Sequence, residues 1–157
     1  MERRTEPVIA DFMTPARHVI SADAPLPRAQ ALMREHGVRH VPVMGGDELV
    51  GILSDRDIAR VQCLTRRGAD EFFVEDAMTR DPFVVARDMP LTKVAREMVD
   101  RNIGSAVVVE GKRVVGVFTV TDALEALIEV LEGTYIARER EGVPTSPAES
   151  RQGRDIH

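Results

Sequence analysis

The sequence predicts an α+β fold built from two similar units, and three observations lead to this prediction. The chain has 157 residues, 43% of them hydrophobic and 30% charged, which is a composition typical of globular proteins. A shift of 65 residues, which places Asp11 on Asp76, aligns the chain with itself without a gap. Each half then shows helix-period and strand-period apolar patterns in the same order. We predict two β-α-β-β-α units packed sheet against sheet with pseudo-twofold symmetry.

The repeat is supported by 13 identities between residues 8 and 63 and their shifted partners, where chance would give about three. The identical positions in the first copy are Asp11, Met13, Thr14, Val19, Asp23, Pro25, Leu26, Met33, Val43, Gly46, Val50, Gly51 and Asp57. We divide the chain into leading residues 1–7, a first repeat 8–72, a second repeat 73–137 and a tail 138–157. The tail has few apolar residues and several charges, so we expect it to be disordered.

The first helix of each repeat follows a short lead strand. In the second repeat, Asp88 is expected to cap a helix that follows Pro90. Its apolar face has the spacing i, i+3, i+4, i+7, i+8 and consists of Leu91, Val94, Ala95, Met98 and Val99. Asn102 should end this helix, as Gly37 should in the first repeat, because both residue types tolerate the left-handed conformation. Met33 and Met98 are expected to fill the core.

A hairpin and a second helix complete each repeat. Two β-rich segments flank a glycine-containing turn in both copies, at 40–44 and 49–53 and again at 105–110 and 113–118, and this pattern predicts hairpins. The last helix opens after Ser54 or Thr119 and, in the second repeat, spans 122–132 before Gly133. A unit of about 60 residues has a marginal core alone, so we expect the two units to share one core.

Composition and charge exclude several classes of protein. The net charge is −5, and the chain contains five Phe, one Tyr and no Trp, which argues against a nucleic-acid surface. No apolar run approaches the roughly 20 residues that cross a bilayer, and residues 1–7 lack the apolar core of a signal peptide. The single Cys63, expected to be buried, rules out an internal disulfide. We therefore expect a cytoplasmic protein that binds neither nucleic acid nor membrane.

One pattern that bears on chemistry occurs twice. A strand, a glycine, two apolar residues, a hydroxyl and an aspartate at the start of a helix recur at residues 51–57 and 116–122. Free backbone N–H groups at a helix N-terminus favour an anion such as phosphate, and the aspartate can accept two hydrogen bonds from a ribose diol. The alternative is that Ser54 and Thr119 simply cap their helices. The residues alone leave both interpretations open.

Metal and catalytic sites are not predicted. His18, His36 and His157 show no metal-ligand spacing with one another or with Cys63. Ser54, Asp55 and Asp57 could suggest a metal-dependent hydrolase, but no nucleophile–base pair and no second carboxylate cluster accompany them. We expect no enzyme activity.

The sequence resembles a tandem pair of CBS domains, named for cystathionine β-synthase and often called a Bateman module. The resemblance covers residues 8–132 and is marked by segments 11–14 and 76–79, by 37–43, and by the two repeated signatures described above. It implies two clefts between the sheets that bind adenosine-containing ligands. These are commonly AMP, ADP or ATP and in other members S-adenosylmethionine or NAD.

The resemblance also implies which residues share a cleft, because each cleft mixes the two repeats. One cleft would contain Thr14, Val19, Val38, Arg39, His40, Thr119, Thr121 and Asp122. The other would contain Ser54, Arg56, Asp57, Thr79, Val84, Ile103, Gly104 and Ser105. We expect the first cleft to bind nucleotide more strongly, because Arg39 and His40 can contact phosphate whereas Arg56 would be the second cleft's only such cation.

The predicted function is therefore a non-enzymatic nucleotide sensor that acts in trans on an effector protein, since no fused effector domain is evident. Family members often form homodimers through exposed helices, and an apolar face of the last helix could serve both core and dimer. That face consists of Ala123, Leu124, Leu127, Ile128 and Leu131. The alternatives are a structural or dimerisation module whose clefts are unoccupied and, less favoured, an enzyme such as a nucleotide hydrolase.

Overall fold

The part of the chain that the computed structural model describes, residues 6–135, forms two four-stranded sheets with helices packed on them. The helices are α1 Ile9–Phe12, α2 Leu26–His36, α3 Asp55–Thr65, α4 Val74–Ala77, α5 Leu91–Arg101 and α6 Val120–Glu132. The strands are β1 Thr14–Pro15, β2 Ile20–Ser21, β3 His40–Gly45, β4 Glu48–Ser54, β5 Thr79–Arg80, β6 Val84–Ala86, β7 Ser105–Glu110 and β8 Arg113–Thr119. The predicted α+β class is confirmed, while the predicted tail lies outside the described residues.

The two repeats exchange their leading strands. The first sheet has the order β2-β3-β4-β5, and the second has the order β1-β8-β7-β6. Strand β1 comes from the first repeat but pairs antiparallel with β8, with Thr14 opposite Val117. Strand β5 comes from the second repeat and pairs with β4, with Thr79 opposite Ile52. The single predicted lead strand is thus two short strands, one in each sheet, preceded by a four-residue helix.

Two glycines at matching repeat positions allow this exchange. A Cβ atom added to Gly51 would lie 2.8 Å from the carbonyl oxygen of Thr79, and one added to Gly116 would lie 3.0 Å from that of Thr14. In both cases the added Cβ would also meet the sulfur atom of the methionine before the threonine, Met78 or Met13. A glycine in a strand often marks such a close approach by another backbone.

The helix ends follow the sequence closely, with one exception. Gly37 and Asn102 end α2 and α5 in the left-handed conformation, with φ of 62° and 53°, as predicted. The predicted cap Asp88 is wrong: α5 begins at Leu91, its N-cap is Pro90, and no side chain caps it. The proline supplies a backbone angle close to the helical value, so the chain enters the helix without a side-chain cap.

Three clusters of buried apolar residues hold the fold together. One joins the first sheet to α2, α3 and α4 and includes Met33 and Val74. The second joins the second sheet to α1 and α5 and includes Ile9 and Met98, so both methionines lie in the core as predicted. A third, smaller cluster of Ile52, Val107 and Val117 connects the two sheets. The sheets do face each other, but most of the core lies between each sheet and its helices rather than in one shared centre.

Two predictions about helix faces need correction. Cys63 on α3 is exposed rather than buried, because Ile58 is the residue that this helix buries. On α6, Ala126 is fully buried and Ala123 partly buried, whereas the larger predicted residues lie outside the core. We call these residues the α6 apolar face; they are Leu124, Leu127, Ile128 and Leu131, all more than half exposed. Within residues 6–135, no helix is long and apolar enough to cross a membrane.

Candidate functional site

Each of the repeated aspartates lies in the first turn of a helix that directly follows a strand. The Ser54 hydroxyl accepts a hydrogen bond from the Asp57 backbone N–H at 3.1 Å, and the Asp57 carboxylate accepts one from Ser54 N–H at 2.9 Å. Thr119 and Asp122 form the same reciprocal capping box. The capping interpretation is therefore correct for both pairs. It leaves a ligand-binding role open, because only one carboxylate oxygen serves the cap and each carboxylate oxygen can accept more than one hydrogen bond.

The first cavity, which we call the Asp122 cleft, has a volume of about 620 Å³, within the usual range for small-molecule sites. Of the residues predicted for it, seven line it: Thr14, Val38, Arg39, His40, Thr119, Thr121 and Asp122. Val19 does not line it and is 47% exposed. Sequence reasoning missed Pro15, Ala16, Arg17, His18, His36, Gly37, Val117 and Glu125.

The second cavity, the Asp57 cleft, has a volume of about 700 Å³. Its predicted lining residues are Ser54, Arg56, Asp57, Thr79, Ile103, Gly104 and Ser105. Val84 does not line it and is 44% exposed. Asp55, Arg60, Asp81, Pro82, Phe83, Arg101 and Asn102 also line this cleft and were not predicted. Both clefts combine residues of the two repeats, and β1 and β5 are the strands that bring in Thr14 and Thr79.

The two clefts share a wall. Arg39, His40, Thr119 and Thr121 line both cavities. These residues lie where β3 begins and β8 ends, next to the N-terminus of α6. The predicted assignment of Arg39 and His40 to one cleft alone is therefore incomplete, because a charge on either residue acts on ligands in both.

The distribution of arginines also differs from the prediction. Arg56 is not the only cation of the Asp57 cleft, because Arg39, Arg60 and Arg101 line it as well. These four arginines face three aspartates, while the Asp122 cleft has two arginines, Arg17 and Arg39, facing Asp122 and Glu125. Arg101 is already paired with Glu97 at 2.7 Å. The Asp57 cleft thus contains more arginines than the Asp122 cleft.

Asp122 is the distinguishing residue of its cleft. Its side chain is 7% exposed, and it is the one buried charged residue in the described part of the chain. Oδ2 accepts a hydrogen bond from Thr119 N–H at 2.8 Å, and Oδ1 accepts one from the Thr14 hydroxyl at 3.1 Å. The carboxylate is therefore held in one orientation by groups from both repeats, at the edge of the cavity. Asp57, half-buried, accepts a hydrogen bond from Ser54 only among the described residues.

Comparison with known protein families identifies the repeats. The model of the CBS domain matches the chain twice, at residues 9–63 and at residues 74–129. The chain belongs to the CBS domain family. Each match ends within the last helix of its repeat, and the start of the second lies at α4, whose Val74 packs in the core of the first sheet.

Curated relatives of this CBS pair include longer proteins. An uncharacterized protein of Methanopyrus kandleri is 30% identical over 95 residues, which cover 59% of this chain and 48% of that protein. Inosine-5'-monophosphate dehydrogenase of Korarchaeum cryptofilum is 31% identical over 116 residues, which cover 73% of this chain and 22% of the enzyme. The CBS pair therefore corresponds to about half of the first relative and to less than a quarter of the second.

Solved structures of similar fold match nearly their whole length to this chain. AcuB of Vibrio cholerae, a protein assigned to acetoin utilization, has a TM-score of 0.68 at 29% identity and covers 86% of this chain and 100% of its own. CBSX2, solved in complex with AMP, has a TM-score of 0.62 at 26% identity, covering 79% and 98%. The CBS pair of protein MJ0100, solved with 5'-methylthioadenosine and S-adenosyl-L-methionine, has a TM-score of 0.66 at 25% identity, covering 77% and 99%.

The surroundings of His40, in the shared wall of the CBS pair, favour the neutral form of its imidazole. Burial lowers the pKa of its imidazole below the ordinary value. Asp55, Asp57 and Asp122 act in the opposite direction, and Arg56 adds to the lowering. Because desolvation prevails over three nearby carboxylates, the neutral imidazole is favoured, and a further negative charge in either cleft would favour the protonated form.

This shift predicts how stability depends on pH. The unfolded chain protonates His40 near an ordinary pKa of about 6.5, whereas the folded chain does so only at lower pH. The unfolded state therefore binds more protons as the pH falls through this range, and the contribution of His40 to stability decreases. The quantity to measure is the melting temperature of the wild type minus that of a His40→Gln variant. We expect this difference to be constant above about pH 7.5 and to decrease below about pH 6.5. A relative gain by the wild type in acid would contradict the assignment.

Proposed function

We propose that this CBS pair is a regulatory module that binds an adenosine nucleotide, AMP, ADP or ATP, in the clefts between its repeats and acts on a partner protein in trans. The observation that carries the proposal is the buried Asp122 carboxylate, which Thr14 and Thr119 hold at the edge of a 620 Å³ cavity. A fixed carboxylate beside a helix N-terminus and an arginine combines the groups that bind a ribose diol and a phosphate.

In this proposal, the ribose hydroxyls donate to Asp122, and the phosphate lies at the N-terminus of α6. Arg39 and His40, in the shared wall, then contact the phosphate. The AMP complex of CBSX2 and the S-adenosyl-L-methionine complex of the MJ0100 pair support adenosine-containing ligands. S-adenosylmethionine and NAD are therefore the further ligands to compare with the adenine nucleotides.

The signal would arise because each cleft contains residues of both repeats. A ligand that contacts Thr14 of the first repeat and Asp122 of the second favours one relative position of the sheets over others. Only a difference in affinity between two such positions can shift their populations. The cluster that joins the sheets has just three buried members, Ile52, Val107 and Val117, and is the smallest of the three apolar clusters. It is the cluster that such a movement would alter.

The two clefts would differ in the ligand they prefer. We infer that the Asp122 cleft binds a monophosphate more strongly, because its carboxylate is already oriented by Thr14. The Asp57 cleft, which has Arg56 and Arg60 in addition to the shared Arg39, would gain more from additional phosphate groups, since each charge-assisted contact to phosphate is stronger than a neutral hydrogen bond. Binding in one cleft would influence the other through Arg39 and His40.

Thermal unfolding with added ligand tests the proposal. AMP, ADP, ATP, S-adenosylmethionine and NAD are each added at 1 mM, with ribose and inorganic phosphate as controls. A ligand present at about 100 times its Kd should stabilise the fold by roughly 2.7 kcal/mol, which corresponds to a rise in melting temperature of roughly 5 °C or more. If none of the five ligands raises the melting temperature above the controls, the sensor proposal fails.

A structural or dimerisation role is the second candidate, favoured by the exposed α6 apolar face. Leu124, Leu127 and Ile128 are each more than half exposed on one helix, and contiguous apolar surface of this kind is often an interface. We expect the chain to be a homodimer and Leu127→Glu to shift it toward the monomer in sedimentation velocity. Val99→Glu on α5, at a residue 78% exposed, is the matched control and should leave the dimer intact. A monomeric wild type would refute the dimer.

A further inference from the structure

A stacked pair of planar side chains occurs at the same repeat positions in both clefts. In the Asp122 cleft, the rings of His18 and His36 stack with centroids 3.7 Å apart and planes 18° from parallel. In the Asp57 cleft, the guanidinium carbon of Arg101 lies 4.8 Å from the centroid of the Phe83 ring. The 65-residue shift places His18 on Phe83 and His36 on Arg101. The residue types differ completely, but in both clefts one planar group lies over a ring, and we call each of these contacts a stacked pair.

Both pairs are built by the same two structural features. The first member lies four residues after the threonine of the exchanged strand, Thr14 or Thr79, and the second is the last residue of α2 or α5. The left-handed residue that follows, Gly37 or Asn102, turns the chain from the helix into the next strand. Each pair is therefore placed between the loop before β2 or β6 and the end of a helix.

Both pairs also line their cavities. His18 and His36 belong to the wall of the Asp122 cleft, and Phe83 and Arg101 to that of the Asp57 cleft. Thr14 is hydrogen-bonded to Asp122, and four residues of extended chain reach at most about 14 Å. The His18–His36 pair therefore lines the same cavity as the carboxylate and lies a short distance along the chain from the threonine that binds it.

The chemistry of the pairs suits a flat aromatic group. Bases stack on His, Phe and Arg side chains because each presents a flat, polarizable face. In the Asp122 cleft the partner is a pair of imidazoles, each of which in its neutral form donates through one ring nitrogen and accepts through the other. In the Asp57 cleft it is a phenyl ring covered by a guanidinium, which only donates. The two clefts therefore offer a base two different surfaces.

We propose that the stacked pair is the wall of each cleft that contacts the base of the bound nucleotide, His18–His36 in the Asp122 cleft and Phe83–Arg101 in the Asp57 cleft. This inference rests on the proposed nucleotide-binding function, in which Asp122 and the helix N-terminus take the ribose and the phosphate. The flat faces of the pair, which line the same cavity, are then the surface offered to the base. The pairs would set how much a base adds to binding, and they would do so independently in the two clefts.

Calorimetric titration of the full chain with AMP and with ribose 5-phosphate, which lacks the base, tests the inference. Asp57→Asn restricts the measurement to the Asp122 cleft, and Asp122→Asn restricts it to the Asp57 cleft. In the Asp57→Asn background, His36→Ala should weaken AMP binding by about tenfold, since a stacked base contributes substantially to affinity. Binding of ribose 5-phosphate should be unchanged. His18→Asn should have the same effect. In the Asp122→Asn background, Arg101→Met should likewise weaken AMP binding and leave binding of ribose 5-phosphate unchanged.

The controls separate this inference from the proposed function. Arg34→Ala, also at an exposed position near the end of α2, should leave AMP binding unchanged, and His36→Ala should not affect the Asp57 cleft. If His36→Ala and His18→Asn leave AMP binding intact, or weaken AMP and ribose 5-phosphate equally, the base-wall inference is wrong while the nucleotide site stands. If the wild type binds neither compound, the proposed function fails and the inference fails with it.

Discussion

Replacing Asp122 by alanine is expected to abolish nucleotide-dependent stabilisation of the Asp122 cleft and to lower the melting temperature of the free protein. The carboxylate accepts hydrogen bonds from Thr119 N–H and the Thr14 hydroxyl, and both donors would lose their partner. Loss of a helix-capping hydrogen bond costs about 1 kcal/mol, whereas the Thr14 hydroxyl, at an exposed position, can bind water instead and adds little. Thermal unfolding with and without AMP measures both effects.

Asp57→Ala is the matched control, because Asp57 has the same capping role but is only half-buried and has no hydrogen bond to Thr79 among the described residues. We expect it to cost less stability and to leave AMP binding in the Asp122 cleft unchanged. The Asp122 substitution also separates the two candidate functions. A sensor loses its response to ligand, whereas a structural module keeps its partner and its oligomeric state. Full retention of the AMP-induced shift by Asp122→Ala would refute the assigned role.

Gly51→Ala is expected to destabilise the fold by about 1–3 kcal/mol, the usual cost of overpacking. The new Cβ would lie 2.8 Å from the Thr79 carbonyl oxygen and 2.7 Å from the Met78 sulfur. The methionine can move, but the backbone oxygen belongs to β5, which pairs with β4 at this point. The strand must therefore shift outward and carry Thr79 with it, so ligand binding in the Asp57 cleft should weaken while the Asp122 cleft keeps its affinity.

Gly104→Ala provides the control for this substitution. Gly104 lines the same Asp57 cleft, but a Cβ there would meet no atom within 4 Å. Chemical denaturation should place Gly104→Ala close to the wild type and Gly51→Ala well below it. Gly116→Ala should show the reciprocal selectivity, because its Cβ would approach Thr14 of the Asp122 cleft. Equal unfolding free energies for the Gly51 and Gly104 variants would contradict the proposed close approach.

The fold was largely predictable because its larger elements have strong periodic patterns. Both hairpins, the left-handed ends at Gly37 and Asn102, and the buried Met33 and Met98 follow from local sequence. The strand exchange does not, because strands of two residues are too short to show alternation. The sequence does contain a signal for it. Each repeat has a methionine directly before a threonine, and each has a glycine in a strand. The methionine and threonine of one repeat pack on the glycine of the other.

The candidate site was predictable where a repeated motif marked it and not elsewhere. The capping hydroxyls and aspartates were found because they recur at a fixed spacing. Arg60 was missed although it lies one turn after Arg56 on the same helix, and Arg101 was missed because the end of a helix gives no indication of which cavity it faces. Val19 and Val84 were assigned by resemblance, but both side chains lie outside the cavities.

The exchanged strands also determine when the protein can fold during its synthesis. The second sheet needs β1, from the first repeat, to pair with β8, from the second. The hydrogen bond between Thr14 of β1 and Asp122 of α6 spans 108 positions. The first sheet needs only β5 to be complete. We therefore expect the first sheet to form early on the ribosome, while α1 and β1 wait for most of the second repeat to emerge. Contacts of such long range slow folding, and they make the two repeats one cooperative unit.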